Sequence, residues 1–316
     1  MPLVYNKDQT PRTPKLQKNR TCWRFALVLT AAALLAATAE AHPGSGIVVD
    51  QHGHVYFVDT GSGVWKIDAH GKLTRVPGPA FHWMTIDPDD RFGKVRLPSG
   101  RDWEIARAGS HPTLLLASDF PIAMGRNGNL YYPLFEAGSG LRILLLAPSG
   151  QTSVLTSLPT EKAKEAKEEL RWINGLATAP DGTLYYTENK AIRRITAHGI
   201  STVSPEISPA GCVSIPGMES KEGPLLRGLA VDSRGTVYVA ATGCGSVLKI
   251  APDGKVTTLF QLQSPWSPTG VALFGGDLYV LEYLHTASDN RREWLPRVRK
   301  ISPDGRTVLI AAIDRR

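Results

Sequence analysis

The sequence predicts an all-β chain, a six-bladed β-propeller of four-stranded antiparallel blades with a degenerate second blade. Three observations carry that prediction. A unit of about 40–50 residues recurs along most of the chain. Each full copy holds two hairpins, and a glycine marks the first turn of each copy. The composition agrees: 42% hydrophobic and 21% charged residues supply a core, and 30 Gly and 23 Pro supply turns. Disordered and collagen-like chains are excluded on the same numbers.

The first element is an address. Residues 1–24 are polar and basic, Phe25–Ala39 is apolar or small apart from Thr30 and Thr38, and Ala39-Glu40-Ala41 is a small-x-small cleavage motif. The apolar run is 15 residues long, short of the ~20 that span a bilayer. The reading is a signal peptide over residues 1–41, cleaved after Ala41, and a mature domain over 42–316, secreted or periplasmic. An uncleaved membrane anchor is the alternative, and only then is a membrane a partner. Cys22 precedes the apolar run, so it forms no lipoprotein box. Of the net charge of +7, residues 1–41 hold Lys7, Arg12, Lys15, Lys18, Arg20 and Arg24 against Asp8 and Glu40. The rest carries no basic stripe with interleaved aromatics, so no nucleic-acid partner is expected.

The repeats follow. GIVVDQHGHVYFVD (46–59), PIAMGRNGNLYYPL (121–134), GLATAPDGTLYYTE (175–188), GLAVDSRGTVYVAA (228–241) and GVALFGGDLYVLE (270–282) are strand–turn–strand units. In each, the turn glycine is followed by x-[Val/Leu]-Tyr, giving Tyr56, Tyr131, Tyr185, Tyr238 and Tyr279. A second hairpin follows every time, as in VLKIAPDGKVTTL (247–259). Residues 81–117 lack the signature but contain MTIDPDD, LPSG, WEIA and TLLLA, which read as the four strands of a degenerate second blade. Glu161–Trp172, with Lys164 and Glu168 at i,i+4, reads as a short solvated helix between blades.

The G-[LIV]-A-x-[DSP]-x-x-G-x-[VL]-Y unit resembles NHL repeats and the regucalcin/gluconolactonase family of six-bladed propellers. INGLATAPDGTLYYTEN (173–189) is similar to that family's Asn-Gly-Leu strand start. The resemblance covers about residues 43–312 and implies fold more firmly than function. It implies a divalent metal such as Ca²⁺ held by two carboxylates and an Asn at inner-strand starts, an oxygen cage of the kind hard cations need. Only Asn174 matches. Pro43-Gly44-Ser45 and Arg227 stand where the carboxylates are expected, and a guanidinium repels a divalent ion. A rebuilt site would draw on Glu188, Glu282 or Asp59. Tyr185-Tyr186-Thr187-Glu188 also resembles, loosely, the strand ends of virginiamycin B lyase.

Propeller geometry puts Ser45, His82, Phe120 with Asp119, Asn174, Arg227 and Thr269 around the channel mouth, with Asp59, Glu136, Glu188, Thr242, Glu282 and His285 on a wider ring. Each has two readings. Asn174 is a metal ligand or a loop cap. Arg227 is an anion clamp or the partner of a channel carboxylate. His82 and His285 are general bases or residues packed beside Trp83 and Tyr283. His70 and His198 fill turn positions. No G-x-S-x-G, H-E-x-x-H or P-loop motif occurs. The function read from this is an exported, monomeric propeller that binds a small or anionic ligand, or a protein partner, at its mouth. A metal-dependent, lactonase-like hydrolase or a lyase at the same mouth is the alternative. Three structural expectations follow: a ring closed without strand exchange; Asn174, Arg227, Glu188 and Glu282 around one mouth with Arg227 beside a carboxylate; and a Cys212–Cys244 disulfide, the pair left once Cys22 departs.

Overall fold

Among the described residues, alternating apolar residues and turn glycines fold into twenty-three short strands, grouped as six separate sheets. The computed structural model describes residues 43–101, 103–136, 140–158, 172–209, 212, 223–286 and 294–314. The expected leader (1–41), and the expected helix apart from Trp172, lie outside them. Blade 1 is β1 (Ile47–Val49), β2 (Val55–Asp59), β3 (Gly63–Ile67) and β4 (Leu73–Val76). Blade 2 is β5 (Trp83–Asp87), β6 (Ile105–Ala108) and β7 (Thr113–Ala117). Blade 3 is β8 (Ala123–Met124), β9 (Leu130–Glu136), β10 (Gly140–Leu146) and β11 (Thr152–Ser157). Blade 4 is β12 (Leu176–Thr178), β13 (Leu184–Glu188), β14 (Ala191–Thr196) and β15 (Gly199–Ser204). Blade 5 is β16 (Leu226–Val231), β17 (Val237–Ala241), β18 (Ser246–Ile250) and β19 (Val256–Gln261). Blade 6 is β20 (Trp266–Phe274), β21 (Asp277–Leu284), β22 (Pro296–Ile301) and β23 (Thr307–Ala312).

Five blades are plain antiparallel meanders. The second is not: its order is β5-β7-β6, with three strands where four were expected. Chain 88–104 leaves β5, returns at the outer edge as β6, and turns back so that β7 enters the middle. The reason lies in β7 itself. TLLLA is buried at every position, and a run that is apolar on both faces demands a central place. The excursion is pinned by Phe92, fully buried, whose amide donates to Asp87 Oδ2 at 2.7 Å. Arg107 of β6 donates to the carbonyls of Phe92, at 2.6 Å, and Val95.

The signature tyrosines have a partner that explains their recurrence. Tyr56 pairs in register with Lys66, Tyr185 with Arg194, Tyr238 with Lys249 and Tyr279 with Lys300. Lys66 Nζ lies 5.5 Å from the Tyr56 ring centre and Lys300 Nζ 6.0 Å from that of Tyr279. In blades 1 and 6 a cation on the third strand thus covers the ring on the second, and in blades 4 and 5 a basic residue holds the same register position. Blade 3 departs, with Leu145 opposite Tyr131.

The ring closes as expected, without an exchanged strand. β1 pairs within blade 1, and β23 completes blade 6. Side chains seal the seam: the fully buried Tyr283 donates its hydroxyl to the Val58 carbonyl at 2.8 Å. At the centre the inner strands meet backbone to backbone. A Cβ on Gly270 would sit 2.2 Å from the Ser45 carbonyl oxygen, and one on Gly175 2.3 Å from that of Arg227. No larger residue fits there, so the first glycine of the repeat is fixed by the narrowness of the channel.

Candidate functional site

The inner-strand starts converge as the register predicts. Ser45 and Gly46 donate their amides to the His82 carbonyl at 2.7 and 2.9 Å. Gly228 packs on Gly270, and Gly175 on Arg227. Ser45, His82, Asn174, Arg227 and Thr269 therefore start strands around one mouth. From blade 5 the Arg227 side chain reaches across it. Its Nη2 donates to the Pro43 carbonyl at 2.7 Å, and its Cζ stands 5.7 Å from the Trp83 ring centre. Arg227 is 8% exposed. Burial lowers its pKa to about 10, opposed by nearby Tyr283, so it stays charged at neutral pH.

His285 follows β21 on the same side. Its amide donates to the Pro265 carbonyl at 2.9 Å, and its ring lies 6.4 Å from that of Trp294. The imidazole is 5% exposed, and Nε2 has no hydrogen-bond partner among the described residues. Burial, then the adjacent Arg227 charge, push its pKa down to about 4. It is neutral at pH 7. Ser45 Oγ and Thr60 Oγ1 are likewise buried without partners. Thr60 is tied to this corner because its amide donates to the Tyr283 hydroxyl at 3.4 Å. His82 is oriented differently: Nδ1 meets the Ser118 carbonyl, with Asp119 3.9 Å away.

The expected carboxylate beside Arg227 is not found, although the buried Asp59 lies close enough to Tyr283 that its charge, after burial, helps to raise the pKa of that hydroxyl. No carboxylate pairs with Arg227 among the described residues. Glu282, fully buried, accepts from Arg297 Nε at 2.5 Å and Arg299 Nε at 2.6 Å. Those guanidinium groups cover aromatic rings, Arg297 over Trp266 at 3.6 Å and Arg299 over Phe260 at 5.1 Å. Glu188 accepts from Arg193 Nε, and Arg193 Nη1 donates to Thr202 Oγ1 at 2.6 Å. Strand pairing is the physical reason. Third-strand arginines lie across from or near the second-strand ends, and Glu282 is directly opposite Arg297. I-R-R-I (192–195) and V-R-K-I (298–301) were the signals in the sequence that could have shown these partners.

Asn174 is half-buried, its amide donating to Thr187 Oγ1 at 3.0 Å. No described residue bonds its side chain. Asp59 Oδ1 accepts from the Gly61 amide at 3.0 Å, and Oδ2 from the Ser62 hydroxyl. Among the described residues no three His, Cys, Asp or Glu side chains gather where they could hold an ion. Glu282 is bonded to Arg297 and Arg299, Glu188 to Arg193 and Asp59 to Gly61 and Ser62, and no described carboxylate is seen to gather with Asn174 into an oxygen cage. Cys212 and Cys244 are joined by a disulfide, with Cα atoms 4.6 Å apart. Cys244 ends a 3₁₀ turn (Thr242–Cys244). The Thr242 and Gly243 amides of that turn donate to the carbonyls of Leu225 and Pro224, at 3.1 and 3.0 Å, just ahead of Arg227.

Comparison with known proteins agrees with this architecture. Residues 143–287 match the profile of the SMP-30/Gluconolactonase/LRE-like region. The 6-deoxy-6-sulfogluconolactonase of Pseudomonas putida is 26% identical over 244 residues, covering 75% of this chain and 66% of that protein. Teneurin-1 of Gallus gallus is 22% identical over 319 residues, covering 78% of this chain and 12% of that protein. The chain thus spans less than two thirds of either relative. The calcium-binding protein regucalcin of Agrobacterium tumefaciens shares the fold, with a TM-score of 0.50 at 16% identity, over 75% of this chain and 81% of that one. Blade count and strand order make this chain a six-bladed β-propeller, and its residues 143–287 are similar to the SMP-30/Gluconolactonase/LRE-like region.

Proposed function

We propose that this chain is an exported, monomeric binding propeller that takes a small organic anion at its channel mouth, anchored by Arg227. One observation carries the reading: a buried guanidinium with no carboxylate partner among the described residues, where a single backbone carbonyl accepts from it. An isolated buried charge is costly. A ligand carboxylate or sulfonate would form a bidentate pair with it, the arrangement guanidinium favours. Neutral His285 and the hydroxyls of Ser45 and Thr60 supply further groups without adding negative charge. His82, held by Ser118, borders the same space. The name of the Pseudomonas putida relative, a sulfonated sugar lactonase, fits an anionic sugar-derived ligand. The disulfide fits a secreted or periplasmic location, where such bonds persist.

A second reading, a lactone hydrolase at the same mouth, is favoured by the unpartnered Nε2 of His285, a neutral base beside a cation. The test is a fluorescence titration using Trp83 as reporter, with gluconate and citrate as anions and glucose as the neutral control. Saturable quenching by an anion, absent with glucose and lost in Arg227→Met, is expected. Equal response to glucose, or full response in the variant, contradicts the proposal. Hydrolysis of gluconolactone above the spontaneous rate, lost in His285→Gln, would select the second reading.

A further inference from the structure

The face opposite the mouth carries a group that neither the fold nor the mouth accounts for. It is the first turn of blade 1, Asp50-Gln51-His52-Gly53-His54. Asp50 is 4% exposed. Its Oδ1 accepts from the amides of His52 and His54, both at 2.9 Å. Its Oδ2 accepts from the Tyr56 hydroxyl at 3.2 Å and from His54 Nδ1 at 2.8 Å. Burial opposes ionisation, but the bonds from His54 and His52 outweigh it and hold the Asp50 pKa below the usual carboxylate range.

The same frame recurs with other residues on it. Asp232 caps the amides of Arg234 and Thr236, both at 2.9 Å. Asp68 caps those of His70 and Lys72, both at 2.9 Å. The frame therefore requires the aspartate and a glycine, while the two capped positions hold His/His, Arg/Thr or His/Lys. Turn geometry does not call for two imidazoles in blade 1, yet two are there, with ring centroids 5.9 Å apart.

Metal–nitrogen bonds of about 2.0–2.1 Å put the centres of two imidazoles on one ion roughly 4.5 Å apart at a right angle and about 5.2 Å apart at a tetrahedral angle. The exposed His52 ring, whose Nε2 lies 3.3 Å from Gln51 Nε2, must therefore rotate inward to share an ion with His54. A carboxylate behind a ligating imidazole is the usual outer-shell arrangement: it takes the N–H of one ring nitrogen and leaves the lone pair on the other. Asp50 does this for His54, directing the Nε2 lone pair outward. We infer that His52 and His54 form a binding site for a divalent transition-metal ion of the Cu²⁺ or Zn²⁺ class, with Asp50 as the positioning residue. No third His, Cys, Asp or Glu side chain joins them among the described residues, so water fills the remaining positions. Imidazole ligands favour Cu²⁺ over Zn²⁺ and disfavour Ca²⁺ and Mg²⁺.

The test is calorimetric titration of the full chain, purified without a histidine tag, with CuCl₂, ZnCl₂ and CaCl₂ at pH 7.5. One Cu²⁺ per chain is expected, with weaker Zn²⁺ and no Ca²⁺ uptake. His52→Ala and His54→Ala should each abolish the one-site isotherm, His70→Ala should leave it unchanged, and Asp50→Asn should weaken it about tenfold or more. Where Asp50→Asn loosens the turn, the electron paramagnetic resonance spectrum of the Cu²⁺ form decides. Two coupled nitrogens in the parent and in Asp50→Asn, and no bound-Cu²⁺ spectrum in either alanine variant, support the site. Binding that survives both alanine substitutions, or a spectrum without two nitrogens, overturns it.

Discussion

Arg297 and Arg299 between blades 5 and 6 and Arg227 at the mouth sit on aromatic rings in the same protein under opposite electrostatic conditions. The first two share the fully buried Glu282 and stack on Trp266 and Phe260. Arg227 stacks on Trp83 but, among the described residues, donates only to the Pro43 carbonyl. Where the fold needs an arginine inside, strand register supplies a carboxylate. At Arg227 no described residue supplies one, and the proposed anion would take that place. Stability and binding should therefore separate cleanly between the two regions.

The largest expected effect is at Glu282. Glu282→Ala leaves two guanidinium groups without their shared anion, and urea unfolding should show a loss of about 3–5 kcal/mol, with any surviving folded protein still binding anion. Next comes the disulfide. Its 32-residue separation gives about 3–4 kcal/mol in the chain-entropy model. The Cys212→Ser/Cys244→Ser protein should lose that amount, and anion affinity should fall because the 3₁₀ turn braces the segment leading into Arg227.

His285 connects the two regions through pH. Its folded-state pKa, about 4, lies below the ~6.5 of an unfolded histidine. Its contribution is then fully present above about pH 6.5 and lost as pH falls toward 4, because the unfolded chain takes up the proton first. That contribution is at most about 3 kcal/mol. The difference in unfolding free energy between the parent and His285→Phe should shrink over that window. A difference independent of pH from 7 to 4 would show that the imidazole is not held neutral.

Much of the fold was legible because the repeat writes its own geometry. The turn glycines, the Gly-Leu-Ala and Gly-Val-Ala strand starts and the recurring tyrosines each answer a local steric or pairing demand. Blade 2 was misread because TLLLA (113–117) and WEIA (103–106) look alike as strands. Their order depends on which one is covered on both faces, a property of neighbouring blades. At the mouth, ring positions followed from register alone. The partners of Glu188 and Glu282 did not, since they depend on which side of the sheet each third-strand arginine faces. The nearness of Arg227 to His285 arises only once the ring is closed.

The smallest stability effect belongs to Arg227, and it is the most telling. The deciding measurement is the unfolding free energy of the parent and Arg227→Met, each with and without gluconate or whichever anion the titration selects. Without anion the variant should lie within about 1 kcal/mol of the parent, since losing an unpaired buried charge offsets the lost stacking and the single hydrogen bond. With anion the parent should gain stability and the variant should not. A loss of about 3–5 kcal/mol in the anion-free variant, matching Glu282→Ala, would make Arg227 another structural arginine and contradict the account.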